Sequence, residues 1–241
     1  IQVWRLLVRW RACWMIRFDV PIWLMPDKGP SMAKESGGWQ MHLQRRPIER
    51  FLVVELRPIA TGDAERLFEW RNLPEVRRYM FTDLPIRREE HDRWFKSVLV
   101  DATRRDWIIQ TDGVPAGLIS LTSIDEHNAR CSWGFYIASQ ALRGRGLGSS
   151  AWFQTLRYAF DDLELEKVSS EVLDTNLSVI ALHERFGFRR EAYFRSHVRR
   201  GDERIDVIGL AMLRADWQLC RPGIEDQLRR NERSHAALKG K

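Results

Sequence analysis

The 241 residues carry 39 Lys and Arg against 33 Asp and Glu, a net charge of +6. Residues 1–50 account for +5 and residues 219–241 for +3, while 51–218 is −2, so the basic balance belongs to the ends and argues against a nucleic-acid-binding core. Three scattered cysteines, Cys13, Cys131 and Cys220, and six unclustered histidines exclude a disulfide framework or a structural metal site and fit a reducing, cytoplasmic setting.

The chain opens with "IQVWRLLVRWRACWMIRFDVPIWLM", rich in Trp and Arg. It contains no apolar run near the roughly 18 residues of a membrane span and no cleavage site of a secretory signal. Residues 1–50 are therefore expected to form an N-terminal extension outside the fold, with Met32 as a candidate start. A basic aromatic helix on a membrane surface is the rival reading, and membrane contact is not favoured.

From Leu52 strands and helices alternate. "FLVVELRPI" reads as a strand, Thr61 or Asp63 can cap the helix "AERLFEWRN", and "REEHDRWFKSVLVDA" reads as a second helix. "DWIIQ" and "VPAGLISLTSI" flank Asp112-Gly113, the signature of a hairpin. "RCSWGFYIA" is a further strand leading into "ALRGRGLGSS" and a helix striped by Trp152, Leu156, Ala159 and Phe160. Strand "KVSSEVL", helix "NLSVIALHERFG" and a closing strand pair around "GDE" complete an α/β domain, 51–218, with one mixed sheet and helices on both faces. The tail 219–241 reads as a charged, frayed helix or as disorder.

The glycine-rich stretch invites a phosphate reading, because glycines before a helix expose backbone N–H groups to an anion. No Lys-Ser or Lys-Thr follows it as in a P-loop, and Gly144, Gly146 and Gly148 do not fit G-x-G-x-x-G after a first strand. What remains is R-x-x-G-x-G at Arg143, Gly146 and Gly148.

This motif, its flanking strand and helix, and the later "NLSVIALHERFGF" resemble the GNAT acyl-CoA N-acyltransferases. That family's second motif is matched at Asn176, Ile180, Leu182, Glu184, Gly187 and Phe188, with His183 where Tyr is usual. The resemblance implies a GNAT fold with a single, mostly antiparallel mixed sheet, and acetyl-CoA as co-substrate, with no metal. It implies a cofactor site at Tyr136, Ile137, Leu142, Arg143, Gly144, Arg145, Gly146, Leu147, Gly148 and Asn176, with Asn176 also capping its helix.

"WRNLPEVRRYMFTD", "EEHDRWF", "GLISLTSID", "WGFYIA" and "HVRRGDERIDV" resemble more closely the subgroup of the pseudaminic-acid pathway, which acetylates the 4-amino group of a UDP-sugar. That implies a UDP-amino-sugar partner. Met80, Phe81 and Trp94 can form an aromatic or thioether platform for its uracil, and Arg71, His91 and Arg199 can neutralise a diphosphate. Strand alternation puts Ser120 and Thr122 on one face, with Ser132 and Tyr136 on one face of the next strand, backed by an apolar face of Ile119, Leu121, Cys131, Trp133, Phe135 and Ile137. Thr122 and Tyr136 are thus substrate-binding candidates. The resemblance to the subgroup also implies Ser120, directly or through water, as the candidate base. His183 is the candidate acid for the thiolate, expected to face the cofactor beside Asn176 and to titrate between roughly pH 6 and 8.

Other acceptors stay open: another amino-sugar nucleotide, or a protein N-terminus as in the ribosomal-protein enzymes. A polyamine calls for an acidic pocket, which "RRYM" and "IRREEHDR" do not offer. A non-catalytic acetyl-CoA-binding module is kept open by the Tyr-to-His departure, and a homodimer is a further expectation.

Overall fold

The computed structural model describes residues 54–239 apart from Gly144 and Arg145, with the backbone alone for 231–239. The expected extension 1–50 lies outside the described residues, all of which belong to one compact unit, Ile48–Lys241.

Strand β1 (Val54–Pro58) leads to α1 (Ala64–Asn72), a single turn α2 (Pro74–Arg77) and α3 (Arg88–Val98). A meander follows, β2 (Arg105–Thr111), β3 (Val114–Asp125) and β4 (Arg130–Ile137), and then α4 (Leu147–Arg157) with a π turn at Tyr158–Asp162. The last elements are β5 (Lys167–Leu173), α5 (Leu177–Arg185), β6 (Arg189–Arg200), β7 (Glu203–Leu213) and α6 (Arg214–Lys239). The seven strands form one mixed sheet in the order β1-β2-β3-β4-β5-β7-β6, in which β4–β5 is the parallel pair.

Local chemistry sets the turns. Asp112 and Gly113 both have positive φ, 49° and 74°, the two left-handed positions that a tight hairpin turn needs between Thr111 and Val114. Asp63 starts α1, but its carboxylate turns back rather than forward. It accepts from the Ala60 amide at 2.9 Å and from the guanidinium groups of Arg57 and Arg66, pinning β1 to the helix.

Alternation along β3 and β4 divides the core. Ile119, Leu121, Cys131 and Trp133 face α4 and α6, burying Trp152, Leu156, Phe160 and Trp217. The opposite face packs Ile108 and Leu118 against Leu67 of α1 and Phe95 of α3. Full burial of such side chains contributes about 1.5–3 kcal/mol each.

The boundary expected at 218–219 falls inside α6. Trp217 is stacked on Phe160 with centroids 5.9 Å apart, and Cys220 and Ile224 also pack on the core. A net-charge reading of the tail misses this because the apolar side of the helix holds only a few residues.

Candidate active site

The parallel pairing of β4 and β5 is short: Arg130 with Lys167, Cys131 with Val168, and Ser132 with Ser169. Beyond Ser132 the edge of β4 that faced β5 runs unpaired from Trp133 to Ile137, while β3 holds its other edge. Where β4 ends, Ala116 O accepts from both Ala138 N at 2.8 Å and Ser139 N at 3.1 Å. Gly117 lies so close to this bend that a Cβ there would sit 2.2 Å from Tyr136 O. The strand is thus fixed on one side and open on the other, a slot bounded by polar backbone.

At the mouth of that slot Gly146 takes φ +81° and turns the chain into α4, which has no side-chain cap. The first helical bond is Ser150 N to Gly146 O, so helix geometry leaves the N–H groups of Leu147, Gly148 and Ser149 without a helical acceptor. Buried Leu147 anchors this end in the core, and a Cβ on Gly148 would meet nothing nearer than the Phe135 ring at 4.0 Å. Half-buried Leu142 closes a short turn through its N–H to Ser139 O. An anionic, extended molecule fits such a slot: the α4 amides for its phosphates, the open edge of β4 for an amide-bearing arm.

Two expected cofactor contacts differ. Arg143 donates through Nε and Nη2 to Ile137 O, at 3.0 and 2.7 Å, so its guanidinium braces the end of β4 instead of standing free over the α4 amides. Asn176 begins α5, yet its side chain makes no cap bond: its carbonyl bonds the Val179 and Ile180 amides while Oδ1 accepts from Ser178 Oγ. Gly144 and Arg145 lie outside the described residues.

On the opposite sheet face, Ser120 and Thr122 of β3 and Ser132 and Tyr136 of β4 share a side with Asp106 of β2. Ser120 Oγ donates to Asp106 Oδ1 at 2.5 Å, and Arg104 grips the same carboxylate through Nε and Nη2, both at 2.8 Å. This bonding holds the Arg104 guanidinium above its usual value. Trp94 lies 6.0 Å from the Arg104 guanidinium, over the same cluster that receives Trp70 and Tyr136. Burial, with Asp106 adding to it, pushes the Tyr136 phenol up, so it stays protonated at neutral pH. Thr122 Oγ1 makes a long, 3.5 Å contact to Ser132 O.

Above this face a loop carries Met80 and Phe81, the latter exposed and edge-on to His197. Its backbone is held by arginines. Arg71 reaches Thr82 O, Arg77 reaches Asp83 O, and Arg200 donates to Arg78 O and Met80 O. Arg71 Nη1, Arg77 Nε and Arg200 Nε remain buried without a partner, and none of the three is in an ion pair among the described residues. Burial pushes the Arg71 guanidinium down from its usual value, Tyr136 opposing the shift.

Three expected roles fail. His91 is buried at 2% exposure between Phe68 and Phe95, and its Nε2 lies 2.9 Å from Ala64 O, so it ties α3 to α1 and cannot reach a diphosphate. Arg199 bonds its own turn at Gly201 O, and Arg200 takes the inward place. His183 is 1% exposed within Trp133, Trp152 and Phe188. Burial drives its pKa down to about 4, and Nδ1, bonded to Val179 O, carries the hydrogen. A neutral imidazole with that tautomer has no proton on Nε2 to give, so the expected titration between pH 6 and 8 is absent. Asp106, Arg104, Arg77 and Arg200 join this candidate site without having been singled out by sequence reasoning.

Residues 54–189 match the acetyltransferase (GNAT) domain family model. The chain belongs to the GNAT acetyltransferase family. It is 26% identical over 175 residues to YdaF of Bacillus subtilis (strain 168), named as a candidate ribosomal N-acetyltransferase, covering 68% of this chain and 93% of that one. Acetyltransferase PseH of Campylobacter jejuni subsp. jejuni serotype O:23/36 (strain 81-176) is 25% identical over 126 residues, 52% of this chain and 76% of its own. The fold superposes with TM-score 0.64 on a Vibrio cholerae spermidine N-acetyltransferase solved with CoA and spermine, at 20% identity, covering 68% of this chain and 98% of that one. This GNAT chain is accordingly an acyl-CoA-dependent N-acetyltransferase, and its open β4 edge and uncapped α4 suit an acyl-CoA. No group of three or more His, Cys, Asp or Glu positioned for a metal occurs among the described residues, and no helix among them is long and apolar enough to cross a membrane.

Proposed function

We propose that this enzyme acetylates the 4-amino group of UDP-4-amino-4,6-dideoxy-N-acetyl-β-L-altrosamine, a step of pseudaminic-acid synthesis for bacterial surface and flagellin glycans, in the cytoplasm. The observation that carries this reading is the set Arg71, Arg77 and Arg200, three guanidinium groups with buried, unpartnered N–H groups around one loop. Such a cluster of guanidinium groups suits a diphosphate and repels a polycation. Met80 and Phe81 on the same loop offer a uracil ring a thioether and an aromatic face, with Trp94 and Thr122 nearer the reacting amine.

Acetyl-CoA would supply the activated acetyl group. Leu147, Gly148 and the turn at Gly146 would hold its pyrophosphate, and β4 from Trp133 to Ile137 its pantetheine arm. Ser120 would take the proton of the attacking amine, and a backbone N–H at Tyr136 or Ile137 would steady the oxyanion. Holding both substrates together supplies much of the rate.

The test follows CoA thiol release with acetyl-CoA and the UDP-4-amino sugar, a peptide N-terminus or spermidine. Saturable turnover confined to the nucleotide sugar is the expected result. Turnover of the peptide or spermidine alone overturns the acceptor assignment.

A further inference from the structure

We propose that Asp106 is the positioning residue behind Ser120, and that Arg104, Asp106 and Ser120 form a chain that accepts the proton of the attacking amine. The inference rests on Ser120 facing that amine, not on which amine it is.

Asp106 and Ser120 are direct partners across the β2–β3 ladder, so their side chains leave the sheet side by side. Both residues are 8% exposed, and the Oγ–Oδ1 separation is 2.5 Å. On its other flank Ser120 pairs with Gly134, where an added Cβ would meet nothing within 4 Å. One side of the hydroxyl is therefore filled by a carboxylate and the other is open to a substrate.

A serine hydroxyl cannot keep a second proton. An oxygen that receives one from the amine must pass its own onward as it does so, and Asp106 Oδ1 is the acceptor bonded to Ser120 Oγ. The nitrogen–carbon bond forms and the carbon–sulfur bond breaks, with CoA leaving as a thiolate. The amine proton moves to Ser120 Oγ, the hydroxyl proton moves to Asp106 Oδ1, and that proton is released to solvent as products leave, while the thiolate takes one from solvent. An ion pair kept only for stability would be complete with the two bonds from Arg104. The third, from Ser120, turns the carboxylate toward the cleft.

The experiment measures kcat and KM for Asp106→Asn, Asp106→Glu, Ser120→Ala and the Asp106→Asn/Ser120→Ala double variant, with acetyl-CoA binding by calorimetry as the check on folding. Each of Asp106→Asn and Ser120→Ala is expected to lower kcat about 10²-fold with both KM values changed less than about threefold. The double variant is expected to fall no more than about threefold further, and Asp106→Glu to recover about tenfold. Asp106→Asn leaves Arg104 without its counter-charge, so Ser120→Ala, which removes one hydroxyl, serves as the second variant. Undiminished kcat in Ser120→Ala, or losses that multiply in the double variant, overturns the proposal. If the peptide or spermidine turns over in place of the nucleotide sugar, the acceptor assignment falls and the same comparison is made on that amine.

Discussion

The imidazole of His183 lies 4.4 Å, centroid to centroid, from the indole of Trp152, while its Nδ1 sits 2.8 Å from the carbonyl oxygen of Val179. One nitrogen is therefore committed to the backbone and the other is enclosed by rings. His183→Phe keeps an aromatic ring, slightly larger than the imidazole, and is expected to keep kcat within about threefold, with the same pH–rate profile between pH 6 and 8. A loss beyond about tenfold, or the disappearance of a transition in that range, would restore His183 to the chemistry.

The same burial makes His183 an acid-sensitive element of stability. Its pKa falls from 6.5 to about 4, so between these values the unfolded chain binds the proton that the folded chain refuses. Its stabilising contribution is complete above about pH 6.5 and declines by about 3 kcal/mol as pH drops to about 4. Urea unfolding at pH 7 and pH 4.5 should show His183→Phe losing less stability on acidification than the parent. Equal losses in the two proteins would place the acid sensitivity elsewhere.

Gly117→Ala tests the bend at the end of β4. The new methyl would sit 2.2 Å from the Tyr136 carbonyl oxygen, a backbone atom that cannot rotate away. Strands β3 and β4 must part there, disturbing the paired bonds to Ala116 O. The expected cost is about 2–4 kcal/mol by thermal or urea unfolding, with weakened acetyl-CoA binding where the protein still folds. A neutral effect on both would mean that the bend has no part in shaping the slot.

Arg200→Met keeps the aliphatic stem and removes the donors to Arg78 O and Met80 O. It is expected to raise KM for the acceptor about tenfold or more while leaving KM for acetyl-CoA within about twofold. Equal changes in both would assign Arg200 to general stability.

Much of the fold was legible because its signals are local. Asp112-Gly113 announces its hairpin, and period-2 alternation correctly sorts Ser120 and Tyr136 from Ile119 and Trp133. Helical spacing likewise grouped Asn176, Ile180 and His183 on one face. All three are buried, at 7, 3 and 1%, so the face is real but points into the core. Spacing gives a face and not what lies over it, and His91 was misread for the same reason. Asp106 stayed hidden because the strand "DWIIQ" shows no partner until the register places it opposite Ser120, fourteen residues on. Arg199 was named for its charge alone, and because β6 slips register twice against β7, between Arg190 and Ala192 and between Phe194 and Val198, alternation along the strand could not have shown that Arg200 takes the inward place.

The short β4–β5 seam also bears on the order of folding. The meander β2 to β4 is built by ladders between strands consecutive in the chain, and its hairpins close over turns of a few residues. The seam joins Arg130–Ser132 to Lys167–Ser169 only after α4 and its π turn have crossed over. Contacts between distant segments incur loop-closure entropy before they return any energy, so this parallel register should be the late step, after the meander and the β6–β7 hairpin. The gap proposed for the acyl-CoA arm would then begin as the place where two early-formed halves of the sheet meet.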